Sequence, residues 1–267
     1  MHVFHPPQMT NGIPPENFFL IADSANTTIA EGFLVPTYQP YLFPERPVSI
    51  LLGVNAKGPG RDMLLGALLA RSYQLRLQAA QQKARVFAQV NAQDAPMMSF
   101  YLDSGFLADD ALDVVEIHMP NAKPNAPMGY NLSFSPLSTP AEQQTFLYRM
   151  NTYRLNALQP ALLQRYMGMP HFIALSMTRG NEIVGEILFT GEGGAARLLG
   201  LYIMPNYRRL GLAKALIASG MKYLSDQGVS RFEGDIIRRN IAQCRLGQSC
   251  NATFVRTAYF YPGINYD

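Results

Sequence analysis

Residues 204–216 read "MPNYRRLGLAKAL", and their types describe an anion site. A strand ending at Met204-Pro205 turns into a helix whose first turn holds Arg208, Arg209, Gly211 and Ala213, within a run that also includes Leu210, Leu212 and Lys214. The first amides of a helix have no internal partner and point outward, so they bind anions. Gly211 removes the side chain that would hold a phosphate away from them. The two arginines add charge and forked donors suited to phosphate oxygens. The field of the helix end contributes only about 0.3 to 1 kcal/mol per favourable charge, so amide hydrogen bonds and arginines supply most of the affinity. A nucleotide-like pyrophosphate fits better than a lone carboxylate.

The elements that must position this turn follow from periodicity. Upstream, "HFIALSMTRGNEIVGEILFTGEGGAARLLGLYIM" reads as three antiparallel strands with turns at Arg179-Gly180-Asn181 and at Gly191 to Gly194. Downstream, Ala213, Leu216, Ile217, Gly220 and Leu224 share one helical face, Gly228 is placed to end the helix, and "SRFEGDII" is the next strand. Before them come a strand, "NLSFSPL", a helix entered through "STPAEQQ", with Pro140 and Glu142 near its start, and a second helix, "QPALLQRYM". The first half runs strand, strand, strand, helix, strand, helix, strand, through "FFLIADSANTTIAEGFLV", "VSILLGV", "GPGRDMLLGALLARSYQLRLQAAQQ", "ARVFAQV", "DAPMMSFYLDSGF" and "LDVVEIHM". The aperiodic "PNAKPNAPMGYN" marks the expected domain boundary, dividing 1–125 from 126–267.

With 267 residues, 48% hydrophobic and 15% charged, the chain has globular composition and room for two domains. A net charge of +3 implies no nucleic-acid partner. No apolar run approaches the ~18 residues needed to span a bilayer, and the N-terminus lacks the features of a signal peptide, so a cytoplasmic protein with no membrane partner is expected. Cys244 and Cys250 share one short segment and the four histidines lack paired ligand spacing, so reduced thiols and no metal are expected. Nothing in the sequence specifies an oligomeric state.

The strand, the turn and the Arg208-x-x-Gly211-x-Ala213 helix resemble the acyl-CoA-binding motif of the GNAT N-acetyltransferase superfamily, whose pattern is Arg or Gln, two residues, Gly, one residue, Gly or Ala. The matching element order covers nearly all of residues 126–254. The resemblance implies an α/β (α+β) fold of two tandem GNAT-like domains, each a mixed, mostly antiparallel sheet flanked by helices. It implies acetyl-CoA as cosubstrate, with the backbone of Leu201, Tyr202 and Ile203 along the pantetheine arm and residues 208–214 holding the pyrophosphate. Asn240 resembles the Asn that contacts the cofactor arm. The acceptor is an amine, on a small molecule or a peptide. An amine of pKa near 10.4 is neutral in about one molecule in 2,500 at pH 7, so a carboxylate is needed to take its proton. Glu186 and Asp235 stand where the superfamily often places one, with Glu233 as the alternate.

Two features depart from the pattern. The superfamily commonly has a Tyr, three residues, then Gly-Phe, the Tyr protonating the departing thiolate; here "NIAQCRLGQSCNATF" has no Tyr, leaving Ser249, Cys244 and Cys250. That absence keeps open a second reading, a CoA-binding sensor or structural module without turnover. The first half has the reverse pattern. It keeps Tyr101, Gly105 and Phe106, but "LLGVNAKGPGRDMLLGALLARSY", residues 51–73, replaces the phosphate motif of "LLGLYIMPNYRRLGLAKALIASG", residues 198–220. In a gap-free overlay Gly211 falls on Leu64 and Arg209 on Asp62. Leu64 is then expected at the phosphate position, and a carboxylate about 4 Å from a phosphate costs on the order of 1 kcal/mol in water and about 4 at a dielectric of 20. Lys57 and Arg61 oppose this. The first copy is expected to be a scaffold that lends Tyr101 or its strands to the acceptor cleft, with one CoA bound per chain.

Overall fold

The computed structural model describes residues 1–56, 58, 60–79, 82–120, 122–123 and 125–267. Lys57 lies outside them, as do positions 121 and 124 of the expected boundary. The chain forms two compact units, Met1–Ala111 with Ala258–Asp267, and Leu112–Thr257. The first division thus falls before Leu112, ahead of the Pro- and Asn-rich segment. The last ten residues, read from sequence as part of the second copy, belong to the first unit.

In the first unit, β1 (His2–Phe4), β2 (Phe18–Ala22), β3 (Thr28–Tyr38), β4 (Val48–Ala56), α1 (Gly60–Gln78), β5 (Ala84–Ala88), β6 (Val90–Asn91) and α2 (Ala95–Asp103) follow one another. The sheet order is β1-β2-β3-β4-β5-β14, where β14 is Gly263–Tyr266 from the C-terminus. Only β4 and β5 are parallel, paired from Val48↔Ala84 to Leu52↔Ala88. Leu64, Leu65 and Leu68 of α1 are buried with Ile21, Leu34, Ile50 and Leu52. Gly32 permits that approach, since a Cβ there would lie 2.8 Å from Leu68 Cδ1 and 3.1 Å from Leu64 Cδ2.

Burial of Arg85 explains why the C-terminus returns. Its guanidinium, 1% exposed, pairs with Asp109 and donates to Asn265 Oδ1 at 3.0 Å and to the Tyr261 carbonyl at 3.1 Å. A charge buried this deeply is tolerated only when paired and hydrogen-bonded. β14 supplies part of that shell and covers the edge of β5 that would otherwise present unpaired backbone.

The second unit holds β7 (Ala111–Glu116), β8 (Asn131–Phe134), α3 (Pro140–Asn151), α4 (Pro160–Met167), β9 (Ile173–Arg179), β10 (Glu182–Glu192), β11 (Ala195–Ile203), α5 (Leu212–Ser225), β12 (Arg231–Ile237), α6 (Ile241–Ser249) and β13 (Thr253–Phe260), whose first residues lie in this unit. Its strands run β13-β7-β12-β11-β10-β9-β8. Thr139 and Glu142 form a reciprocal capping box that starts α3. One face of the sheet is filled by α5, with Leu212, Leu216 and Leu224 against Val184, Ile187 and Phe189. The other face carries α3 and α4, with Phe146, Met150 and Leu163 against Leu188 and Tyr202. α5 ends at Ser225, one turn before Gly228, whose φ of +92° reverses the chain into β12. No helix among the described residues is long and apolar enough to cross a membrane.

The gap-free overlay of the two repeated stretches does not hold in three dimensions. β4 and β11 end at equivalent positions, but α1 begins at Gly60 while α5 waits until Leu212. The first copy has a much shorter connection, so Leu64 falls a full turn inside α1. There it is wholly buried in the core and does not stand at a phosphate position.

Candidate functional site

The second unit opens where two parallel strands part. β11 and β12 pair only from Ala195↔Arg231 to Leu198↔Gly234, after which β11 continues to Ile203 and β12 to Ile237 without further rungs. An irregularity in the β10–β11 ladder between Leu188 and Phe189 falls at the same level. The Met204 amide donates to the Val184 carbonyl at 2.9 Å, so Gly185 and Ile203 are a non-hydrogen-bonded pair. By alternation the peptide groups of Ile203 and Leu201 point away from β10, along the open edge. The backbone of Tyr202 is engaged with Glu186 instead. Of the three residues expected along a pantetheine arm, Leu201 and Ile203 therefore present backbone to the cleft and Tyr202 presents a ring.

The open edge leads to the start of α5. A short 3-10 turn, Pro205–Tyr207, precedes Arg208, and Arg209 and Gly211 both take left-handed backbone, at φ +64° and +81°. Gly211 is the N-cap. No side chain caps the helix and no acidic residue lies in its first turn. Its first internal bond runs from the Ala215 amide to the Gly211 carbonyl at 3.1 Å, which leaves the amides of Leu212, Ala213 and Lys214 without helical acceptors. A Cβ on Gly211 would meet nothing within 4 Å, so the space beside the turn is open. Leu212 is buried and anchors the turn, whereas Arg209 and Leu210 are exposed. The Arg208 guanidinium lies 4.6 Å from the ring centroid of Tyr153. Uncapped amides, open space and two cations suit a pyrophosphate.

On the face covered by α3 and α4, the two carboxylates proposed as bases sit in different surroundings. Glu186 is fully buried; Arg149 donates to its Oε2 at 2.6 Å and its Oε1 at 2.9 Å, and Ser176 donates to Oε1 at 3.1 Å. Asp235 is the first residue of β12 past the last rung, is partly exposed, and pairs with Arg197. Glu233 pairs with Arg231. Arg154, from the loop between α3 and α4, donates to the Leu199 carbonyl, and the Tyr153 hydroxyl donates to that of Ile203 at 3.2 Å. Tyr153 stacks on Tyr202 with ring centroids 5.6 Å apart. Arg149, Tyr153, Arg154 and Arg197 have no spacing signature in the sequence, since their roles come from the sheet that brings them together.

Asn240 is buried and caps α6, its Oδ1 accepting from the Gln243 amide at 3.0 Å, so only its amide group remains for a ligand. Ser249 donates to the Leu246 carbonyl at 2.8 Å. Cys250 is buried in the core, and burial pushes its thiol pKa up, which makes it a packing residue. In the first unit, Tyr101 is 2% exposed among Phe100 and Phe106 and is a core residue, contrary to the expectation that it is available to an acceptor. A separate groove of roughly 630 Å³ runs between α1 and α2, lined by Arg61, Asp62, Leu65, Phe100 and Asp103 among others.

The sequence profile of the Acetyltransferase (GNAT) family matches residues 139–250. A comparison with curated proteins finds no match. Among solved structures, a GCN5-related N-acetyltransferase from Sphaerobacter thermophilus is similar at 14% identity and a TM-score of 0.51, over 96% of this chain and 82% of that one. A conserved protein of unknown function from Enterococcus faecalis V583, described as a probable N-acyltransferase, is similar at 10% identity and a TM-score of 0.53, over 92% of this chain and 61% of that one. At these identities the likeness is one of fold. Residues 139–250, within the second unit, are thus similar to the GNAT acetyltransferase family, and the solved structures extend the likeness of fold over most of the chain.

Proposed function

We propose that the chain is an acetyl-CoA-dependent N-acetyltransferase that passes the acetyl group directly to an amine of a small molecule or peptide, using the second unit alone for CoA. The observation that carries this reading is the opening of β11 from β12 beyond Leu198 and Gly234, leading straight to the uncapped, left-handed Gly211 turn. Acetyl-CoA, when bound, supplies the acetyl thioester. The amides of Leu212 to Lys214, with Arg208 and Arg209, would hold its pyrophosphate, and the edge groups of Leu201 and Ile203 would hold its arm. The amide group of Asn240 is the further contact. Holding amine and thioester side by side supplies much of the acceleration without a covalent enzyme intermediate.

The geometry favours Asp235 over Glu186 as the proton acceptor. Both oxygens of Glu186 already accept from Arg149, whereas Asp235 is partly exposed at the vertex of the cleft. Glu186 then serves to hold Arg149 and the floor of the site. The test is incubation of the purified protein with acetyl-CoA and a panel of primary amines, following free thiol and acetylated product by mass spectrometry. Acetylated amine that disappears in Asp235→Asn supports the assignment. Tight CoA binding with no acetylated product from any amine would leave a CoA-binding module, the reading that the absent α6 tyrosine favours.

A further inference from the structure

The vertex of the second unit's open strands holds a cation to which the proposed reaction gives no role. The last rung joins Leu198 to Gly234, and immediately beyond it Arg154 donates through Nη1 to the Leu199 carbonyl and through Nε to the Asn156 carbonyl at 3.1 Å. A guanidinium carries five N–H groups, so most of the fork stays available after these two bonds. The two carboxylates nearest this point are already taken by other cations: Asp235 pairs with Arg197, and Glu186 with Arg149. Among the described residues, Arg154 has no carboxylate at ion-pair distance. Burial pushes its pKa down, Asp235 and Tyr166 oppose that, and Arg197 adds to it. A Cβ on Gly200 would stand 2.8 Å from Met150 Sδ and 4.0 Å from Arg154 Nη1, so only a glycine lets Met150 and the guanidinium both approach the strand here.

This inference rests on the proposed placement of CoA. With the pyrophosphate at residues 208–214 and the arm along Ile203 and Leu201, the edge continues to Leu199, about 13 Å from Ile203 at ~3.3 Å per residue. The sulfur end of the arm therefore comes to Arg154. We propose that Arg154 stabilises the departing CoA thiolate, the task for which α6 provides no tyrosine. As the amine nitrogen bonds to the carbonyl carbon, the C–S bond breaks with its electron pair on sulfur, and the proton from nitrogen passes to Asp235. Arg154 contributes a fixed positive charge and gives up no proton; the thiolate is protonated from water on release. A positive charge within a few ångströms favours an anion strongly where water is scarce.

The experiment needs no acceptor amine. CoA bound to the full-length protein is titrated with base while thiolate is followed by its ultraviolet absorbance. The parent is expected to ionise bound CoA at a pH about one to three below that of free CoA. Arg154→Met should return the titration to the free value or above it, and Arg154→Lys should keep most of the effect, with circular dichroism checking that both are folded. Bound CoA that ionises like free CoA, or that ionises alike in parent and Arg154→Met, overturns the assignment of Arg154 alone. No binding of CoA to the parent, measured by calorimetry, overturns the placement of CoA and this inference with it.

Discussion

Arg149 and Glu186 face each other through two parallel hydrogen bonds, from Nε at 2.6 Å and from Nη2 at 2.9 Å, with the carboxylate wholly buried. Removing one partner strands the other. Arg149→Met or Glu186→Leu alone should destabilise the second unit by roughly 3 to 5 kcal/mol, while the double variant should recover most of that loss. Urea unfolding of the four proteins measures both. If the single variants unfold with the parent, the pair is not a structural floor and Glu186 returns as a candidate base.

The C-terminal strand should be indispensable to the first unit. A chain ending at Thr257 loses β14, uncovers the edge of β5, and leaves Arg85 without Asn265 or the Tyr261 carbonyl. Stranding a buried charge costs about 3 kcal/mol or more. Hydrogen exchange should show β5 amides losing their protection in the shortened protein. Parent-like protection there would show that β14 is an ornament to the sheet.

Tyr101 makes the first unit sensitive to alkali. Burial raises its pKa above the ordinary value of 10.0, and Arg61 opposes the shift only in part. The unfolded chain therefore releases this proton near pH 10, while the folded unit keeps it to higher pH. In that window the native state binds more protons, so stability falls as pH rises, and below it the contribution is constant. Tyr101→Phe should remove this alkaline decline in thermal melts between pH 9 and about 11. A decline unchanged in Tyr101→Phe would place its cause elsewhere.

Much of this was legible in the residues because it is local. The strand and helix order follows from apolar period, the start of α3 from Pro140 and Glu142, and the turn into α5 from the run around Gly211, each within a few residues. What escaped is set by distance along the chain. Arg149 lies 37 residues from Glu186, and Arg85 meets Asn265 at a separation of 180. No period links such pairs. α6, β13 and β14 carry no strong pattern and gain their structure from the sheets they join. The overlay that put Leu64 on Gly211 assumed equal connections between strand and helix. A Leu at that point of α1 satisfies the core as well as it would block a phosphate, so its type alone cannot distinguish the two.

The most direct test of the account is calorimetric titration of the full chain with CoA, for the parent and Gly211→Val. Gly211 sits at φ +81° with open space where a Cβ would project, so a valine there both strains the turn, by about 1 to 2 kcal/mol, and intrudes before the Leu212 to Lys214 amides. A thermal melt and Arg208→Ala, which keeps the turn, separate loss of the site from loss of fold. The account predicts saturation at one CoA per chain in the parent, at least a tenfold weakening in Gly211→Val, and a smaller loss in Arg208→Ala. Gly211→Val binding CoA as tightly as the parent, or two CoA per chain, would contradict it.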